Sequence, residues 1–183
     1  RFNINAVCIY NPLNKKEIIK KSNIKSGFKL NKKKINLINV GRLADQKDQI
    51  TLLKAINLIK NKINFNLLII GKSSEKNNLL RYTKKNDLSK NVKFIGYKKN
   101  PYNLIKKSDI FVLTSIYEGL PNVLLEAQVL KTYIISSNCP TGPREILING
   151  KAGSLFKVRD YKSLSKMIIN FSRNKKKYFK EIL

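Results

Sequence analysis

Two short, largely apolar runs, Ile35 to Val40 and Phe65 to Ile70, each stop at a glycine, and a third, Ile110 to Leu113, leads into a turn at Gly119. Such runs fit strands covered on both faces, because a strand with one wet face alternates apolar and polar residues. The segments between them carry a different period. From Asp48 to Lys60 the residues Leu52, Leu53, Ile56 and Ile59 return with the spacing of one helix face. Strands separated by helices predict parallel pairing, since a parallel connection needs a long crossover. The expected fold class is therefore α/β, a doubly wound parallel sheet of Rossmann-like type in a single domain. Ligands of such sheets bind outside the carboxyl ends of the strands. Gly41, Gly71, Gly96 and the turn from Ser115 to Gly119 all fall at such ends.

The remaining elements can be read in order. Ala6 to Tyr10 reads as a strand stopped by Asn11-Pro12, and Leu13 to Lys34 as a connecting loop with one short helix. Residues 1–34 thus enter the domain and 35–183 form it. A polar helix is expected from Glu75 to Asn86, with Leu79, Leu80 and Tyr82 available for packing. Val92 to Ile95 is the next strand, followed by a short helix to Lys107 that Asn100 caps and Pro101 begins. Asp109 to Thr114 precedes the turn, and a helix runs from Pro121 to Leu130, with proline at its first position where a missing N–H costs nothing. Thr132 to Ser136 is a strand, Pro143 to Asn149 a short helix, and Gly153 to Val158 an edge strand. Ser163 to Arg173 is the last helix expected, with Leu164, Met167, Ile168 and Phe171 inward, and the basic tail beyond it ends abruptly.

Composition removes several chemistries. The 183 residues contain no histidine, and the two cysteines, Cys8 and Cys139, lack metal-ligand spacing. A zinc site, a Ser-His-Asp triad and a Cys-His pair are excluded within this chain, and reduced thiols in a cytosolic protein are the simpler reading. No apolar run reaches the roughly 20 residues that span a bilayer. The formal net charge is +27, but its lysines are spread as pairs and short runs along the whole chain. That dispersion argues against a dedicated nucleic-acid surface, while a positive field still attracts diphosphates and an anionic membrane surface. A nucleic-acid-binding module is the competing class.

Three strand ends carry candidate chemistry. Gly41-Arg42 with Lys47 offers a forked donor and a mobile point charge, a combination suited to a diphosphate. Read singly, Arg42 is a loop residue and Lys47 one lysine among many. Ile95 and Gly96 end a strand and could present backbone groups to a base edge. Glu118 and Glu126 frame the turn Gly119-Leu120-Pro121-Asn122. They could form an acid/base pair of the glycosidase kind, but Glu126 lies inside a helix. The better division gives a ribose diol to Glu126, sugar hydroxyls to Glu118, and a phosphate to the N–H groups near Leu120, Asn122 and Val123. Glu126 could instead be a partly buried helix carboxylate. Thr141-Gly142-Pro143-Arg144-Glu145 forms a second loop-to-helix junction, able to approach the same ligand if its strand neighbours the one before Glu118.

Assembled, these residues resemble the C-terminal domain of family 4 glycosyltransferases of GT-B fold. The parts run in the family's order: Asn39-Val40-Gly41-Arg42-Leu43 with Gln46-Lys47, then Phe94-Ile95-Gly96, Glu118 to Glu126, Pro140 to Ile146, and Gly150-Lys151-Ala152-Gly153. The resemblance implies that Arg42 and Lys47 bind the donor diphosphate and stabilise the departing nucleotide. It places the base at Ile95 and Gly96, the sugar at Glu118, the ribose at Glu126, and the phosphates at the amides of Gly119 and Leu120. It implies transfer with retention from a nucleotide sugar, UDP-linked, to a glycan or lipid-linked acceptor in bacterial surface polysaccharide synthesis, with no metal or further cofactor. The family's N-terminal acceptor domain is absent from this sequence. The isolated chain is therefore expected to bind donor but turn over poorly, at a cytoplasmic site that includes the inner face of the membrane. A related epimerase and a non-catalytic donor-binding subunit are the alternatives.

Overall fold

The computed structural model describes residues 12–72 and 76–182; the strand expected at Ala6 to Tyr10, Cys8 and Glu75 lie outside them. In chain order the elements are α1 (Lys15–Ser22), β1 (Ile35–Val40), α2 (Gln49–Ile59), β2 (Phe65–Ile70), α3 (Lys76–Lys85), β3 (Val92–Phe94), α4 (Tyr102–Lys107), β4 (Ile110–Leu113), α5 (Asn122–Val129), β5 (Tyr133–Ser137), α6 (Pro143–Ile146), β6 (Ser154–Phe156), α7 (Tyr161–Arg173) and α8 (Lys175–Ile182). The six strands form one parallel sheet in the order β3-β2-β1-β4-β5-β6. Strand order reverses between β1 and β4, which makes the crevice above their carboxyl ends the expected ligand position.

The strands are apolar because both faces are covered. Leu37, Leu67, Ile69, Ile110, Val112 and Ile135 point to the layer holding α2, α3 and α7. Their neighbours Ile38, Leu68, Ile70, Phe111, Leu113 and Ile134 point to the layer holding α1, α4, α5 and α6. The period-2 alternation of a strand therefore distributes apolar residues to two cores rather than to one core and water. Helices α2 and α7 meet the first core through Leu52, Leu53, Ile56, Ile59, Leu164, Ile168 and Phe171. Met167 packs against it half-buried, while Leu80 stays exposed because α3 buries only Leu79 and Thr83.

Several boundaries differ from those the sequence suggests, each for a local reason. Pro121 does not begin α5. It occupies the cap position with ψ 91°, and its carbonyl accepts the Leu124 N–H at 2.9 Å. Pro101 likewise precedes α4, and the Asn100 side chain accepts the Tyr102 N–H at 3.2 Å. Asp109 lies just before β4, where its carboxylate accepts the Asn36 N–H at 2.8 Å and pairs with Lys175 at 2.6 Å. The basic tail is helical. Its lysine run masks an inward, half-buried anchor, Tyr178, whose ring lies 4.7 Å from that of Tyr133 and 5.3 Å from that of Phe171.

The carboxyl ends of the strands are drawn close together by glycine. The Gly41 N–H donates to Ile70 O at 2.9 Å and the Gly71 N–H to Gly96 O at 3.1 Å. A Cβ built on Gly71 would overlap the Gly41 carbonyl oxygen. Gly71→Ala is accordingly expected to destabilise by about 1–3 kcal/mol, the range for overpacking a closed site. Gly119→Ala, where a Cβ meets nothing within 4 Å, should stay within about 0.5 kcal/mol of the parent. Urea denaturation of the two variants checks the contrast.

Candidate donor site at the β1/β4 crevice

The loop after β1 and the loop after β4 are tied together above the switch point. The Ile116 N–H donates to Gln46 O at 2.8 Å, and the Gln46 side-chain amide returns to Tyr117 O at 3.0 Å. The Thr114 hydroxyl donates to Lys47 O at 2.8 Å. These bonds hold the backbone on either side of one ion pair, Lys47 Nζ to Glu118 Oε1 at 2.5 Å. The Lys47 side chain is 16 % exposed and that of Glu118 7 %. With so little water around it, the pair is less screened than a surface pair. The Ser115 hydroxyl donates to the same Glu118 oxygen at 2.5 Å. The Lys47 stem reaches Glu118 across Gly41, where a Cβ would come within 3.7 Å of its Cδ and Cε. Asp48, next in the chain, has φ 45° and precedes α2, so the backbone turns sharply as soon as Lys47 has been delivered.

A third loop completes this side. Strand β5 pairs with β4, so the junction after β5 does neighbour the Glu118 turn. Pro140 O accepts the Glu118 N–H at 3.4 Å, and the Thr141 hydroxyl bonds the Glu118 carbonyl oxygen. Gly142 has φ 76°, and a Cβ there would overlap the Gly119 carbonyl and Pro121 Cδ. Beside this contact lies a cavity of about 590 Å³ lined by Asn138, Thr141, Arg144 and Glu145 among others. Cys139 is buried in it, and burial raises its thiol pKa, which fits a small loop residue rather than a nucleophile.

The remaining candidates are placed around this core. Arg42 is exposed, its guanidinium 3.4 Å from Gln46 Oε1 and its carbonyl accepting the Gln49 side-chain amide at 2.8 Å. Arg42 and Lys47 thus sit on one loop but have different partners. Gly119, Leu120, Pro121 and Asn122 form the entry to α5, beneath the free end of the helix dipole. Ile95 and Gly96 lie at the end of β3, three strands from β4 in the sheet order, a span of about 14 Å at ordinary strand spacing. The Ile95 N–H donates to Ile69 O at 3.1 Å and Gly96 O accepts from Gly71, so the sheet already engages half of their backbone groups.

Glu126 stands apart from Glu118. It lies one turn into α5, where it accepts the Tyr102 hydroxyl at 3.2 Å across from α4. Burial raises the Glu126 pKa above the ordinary carboxylate value, against the opposing effect of the Tyr102 bond. Tyr102 is pushed up to about 12, by burial first and the Glu126 charge second, so its proton is retained as a donor. Among the described residues no group of three or more His, Cys, Asp or Glu could hold a metal ion. Ser115 and Gln46 were named in their motifs without a role, and Tyr102 was not singled out from sequence. Ser115 could have been found from its spacing of three residues before Glu118, whereas nothing distinguishes Tyr102 from the other tyrosines.

Two outcomes follow from these environments. Lys47→Met leaves Glu118 buried with only a hydroxyl partner and is expected to cost about 3 kcal/mol, the lower end for breaking a buried pair; chemical denaturation measures it. Glu126 has a raised folded pKa, so the folded state holds its proton more tightly than the unfolded chain. Its contribution to stability therefore falls as pH rises from the ordinary carboxylate pKa through the raised one. Glu126→Gln is expected to be more stable than the parent at neutral pH and to lose that dependence, as thermal melts across mildly acidic pH would show.

Comparisons with known proteins agree with this geometry. Residues 20–181 match the family model described as glycosyl transferases group 1. The chain is 43% identical over 111 residues to an uncharacterised glycosyltransferase of Methanocaldococcus jannaschii, covering 60% of this chain and 27% of that protein. It is 31% identical over 140 residues to the UDP-Gal:alpha-D-GlcNAc-diphosphoundecaprenol alpha-1,3-galactosyltransferase of Escherichia coli, covering 74% and 36%. The chain thus spans about a third of the length of these curated relatives. Among solved structures, the lipopolysaccharide outer core galactosyltransferase WaaB superposes with a TM-score of 0.72 at 25% identity, over 79% of this chain and 42% of that one. Sheet order, strand-end loops and these matches lead to one assignment: the chain is a GT-B-type, Rossmann-like domain belonging to the glycosyl transferases group 1 family.

Proposed function

We propose that this domain is the donor-binding half of a retaining glycosyltransferase of family 4, transferring a sugar from a UDP-linked donor to a glycan or lipid-linked acceptor in surface polysaccharide synthesis. The observation that carries the reading is the convergence of Lys47 and Glu118 from two different loops at the β1/β4 crevice. The Escherichia coli relative, whose name gives a UDP-sugar donor and a lipid-diphosphate acceptor, supports it.

In this reading the donor lies along the carboxyl ends of the strands. The base meets the Ile95 carbonyl and Gly96 N–H, the ribose diol meets Glu126, and the diphosphate lies against the amides of Gly119 and Leu120. Asn122 closes the first turn of α5, and Pro121, which has no N–H, shapes its entry. Arg42 and Lys47 neutralise the diphosphate and the charge that builds on it as the glycosidic bond breaks, which is electrostatic stabilisation of the leaving group without a metal. Lys47 has to share or leave Glu118 to do this. Glu118 then retains the Ser115 hydroxyl and becomes available to the hydroxyls of the sugar. The acceptor and the groups that receive its proton belong to a further domain, so binding and transfer are separable. The donor side is cytoplasmic.

Titration calorimetry is expected to show saturable binding of UDP and of a UDP-sugar by the isolated chain, unchanged by EDTA, with no sugar transfer. Arg42→Ala should weaken UDP at least about tenfold, the value of a charge-assisted contact. Absence of heat with every nucleotide tested, on folded protein, would overturn the proposal.

A further inference from the structure

Helix α5 carries Asn122 at its start and Glu126 four residues on, on the same face and about 6 Å farther along the axis. Glu126 is half-buried, a costly place for a carboxylate. Burial disfavours its charge, and the Tyr102 hydroxyl recovers only part of that cost. A pair kept for stability alone is better served by two apolar side chains of similar volume. The carboxylate is also only half used. Its Oε1 accepts the Tyr102 hydroxyl at 3.2 Å, while Oε2 bonds none of the described residues.

Tyr102 is held more firmly than a surface tyrosine. Its ring packs half-buried on the second core, and its hydroxyl keeps its proton and so stays a donor. Hydrogen bonds at both ends fix the helix that carries it. The Asn100 side chain accepts the Tyr102 N–H at 3.2 Å and donates to Lys21 O at 3.0 Å, and Asn103 donates to Ser22 O at 2.8 Å. At the other end the Thr132 hydroxyl donates to Ile105 O at 2.9 Å, tying α4 to the chain that leaves α5. Helix α4 is thus clamped between α1 and the exit of α5, and its hydroxyl meets Glu126 at a set place.

An ionised carboxylate accepts on both oxygens and donates from neither. Fixing Oε1 removes in advance the rotamer freedom that a loose glutamate would lose on binding a ligand. It leaves Oε2 and a lone pair of Oε1 for two further donors, which is what a vicinal diol supplies. We infer that Tyr102 is a positioning residue for the ribose of the donor: it holds Glu126 in the orientation that accepts the 2′- and 3′-hydroxyls, and so makes the site discriminate ribose from deoxyribose. The inference rests on the donor reading and adds to it a residue and a specificity. A hydrogen bond that merely joined α4 to α5 would affect both sugars alike.

The test is titration calorimetry of the chain with UDP and with 2′-deoxy-UDP, on the parent, Tyr102→Phe, Glu126→Ala and the double variant. The parent is expected to bind UDP at least about tenfold tighter than 2′-deoxy-UDP, because a site built to hydrogen-bond a hydroxyl rejects the analogue lacking it. Tyr102→Phe removes the hydroxyl and leaves the packing of the ring in place. It should weaken UDP about tenfold, keep 2′-deoxy-UDP within about twofold, and so bring the preference below about threefold. In the Glu126→Ala background the same substitution should change neither ligand by more than about twofold, since no carboxylate is left to position. Circular dichroism establishes that each variant is folded. Equal weakening of both ligands by Tyr102→Phe would mark a structural role and overturn the inference, and so would a 2′-hydroxyl preference that survives the substitution. Both results leave the donor reading intact. No binding of either ligand by the parent would instead remove the donor reading, and this inference with it.

Discussion

The Lys47–Glu118 ion pair joins the two halves of a sheet whose strand order reverses beneath it. One partner comes from the loop after β1 and the other from the loop after β4, and both are nearly excluded from water. Such a pair is stable only where the backbone fixes both ends, since desolvating two charges costs more than a loosely held contact returns. The backbone here does so through the Gln46 and Thr114 bonds on either side and the Ser115 hydroxyl on Glu118 itself. The crevice is thus held in shape before any ligand arrives, with a carboxylate and a cation poised at its centre. Preorganisation of this kind lets a site stabilise developing charge without reorganising during reaction.

Close backbone approach serves the same end. Gly71 against the Gly41 carbonyl and Gly142 against Gly119 and Pro121 bring four strand-end loops, in two pairs, to distances that a single methyl group would forbid. The layers below supply rigidity. Alternate residues of β1, β2 and β4 enter two separate cores, so none of these strands can slide by one residue without exchanging both sets of contacts. The mobile charge of Lys47 and the exposed guanidinium of Arg42 are therefore carried on a stiff frame.

Sequence patterning made the sheet legible because a strand buried on both faces leaves an unmistakable apolar run. Strands β1 and β2 fall where the pattern places them, and the strand-end position of Gly41, Gly96 and Glu118 follows from it. Helix ends were less legible. Pro121 and Pro101 satisfy a helix cap as well as a first turn, and the difference is one residue of backbone geometry. Helix α8 was hidden because its lysines obscure a half-buried anchor, Tyr178, which packs on Phe171 of the preceding helix and on Tyr133, far back in the sequence. The partner of Glu126 was hidden for the same reason, since Tyr102 reaches it from another helix.

Residue order by itself determined the α/β class, the parallel pairing and the set of strand ends at which chemistry could occur. These follow from local periodicity and from turn residues, which act within a few positions of each other. Only the tertiary structure decided that Lys47 is paired with Glu118 rather than free beside Arg42, and that Glu126 is tied to Tyr102 with a raised pKa. Each of these depends on distance and burial between segments far apart in the chain, and neither quantity is written in local order.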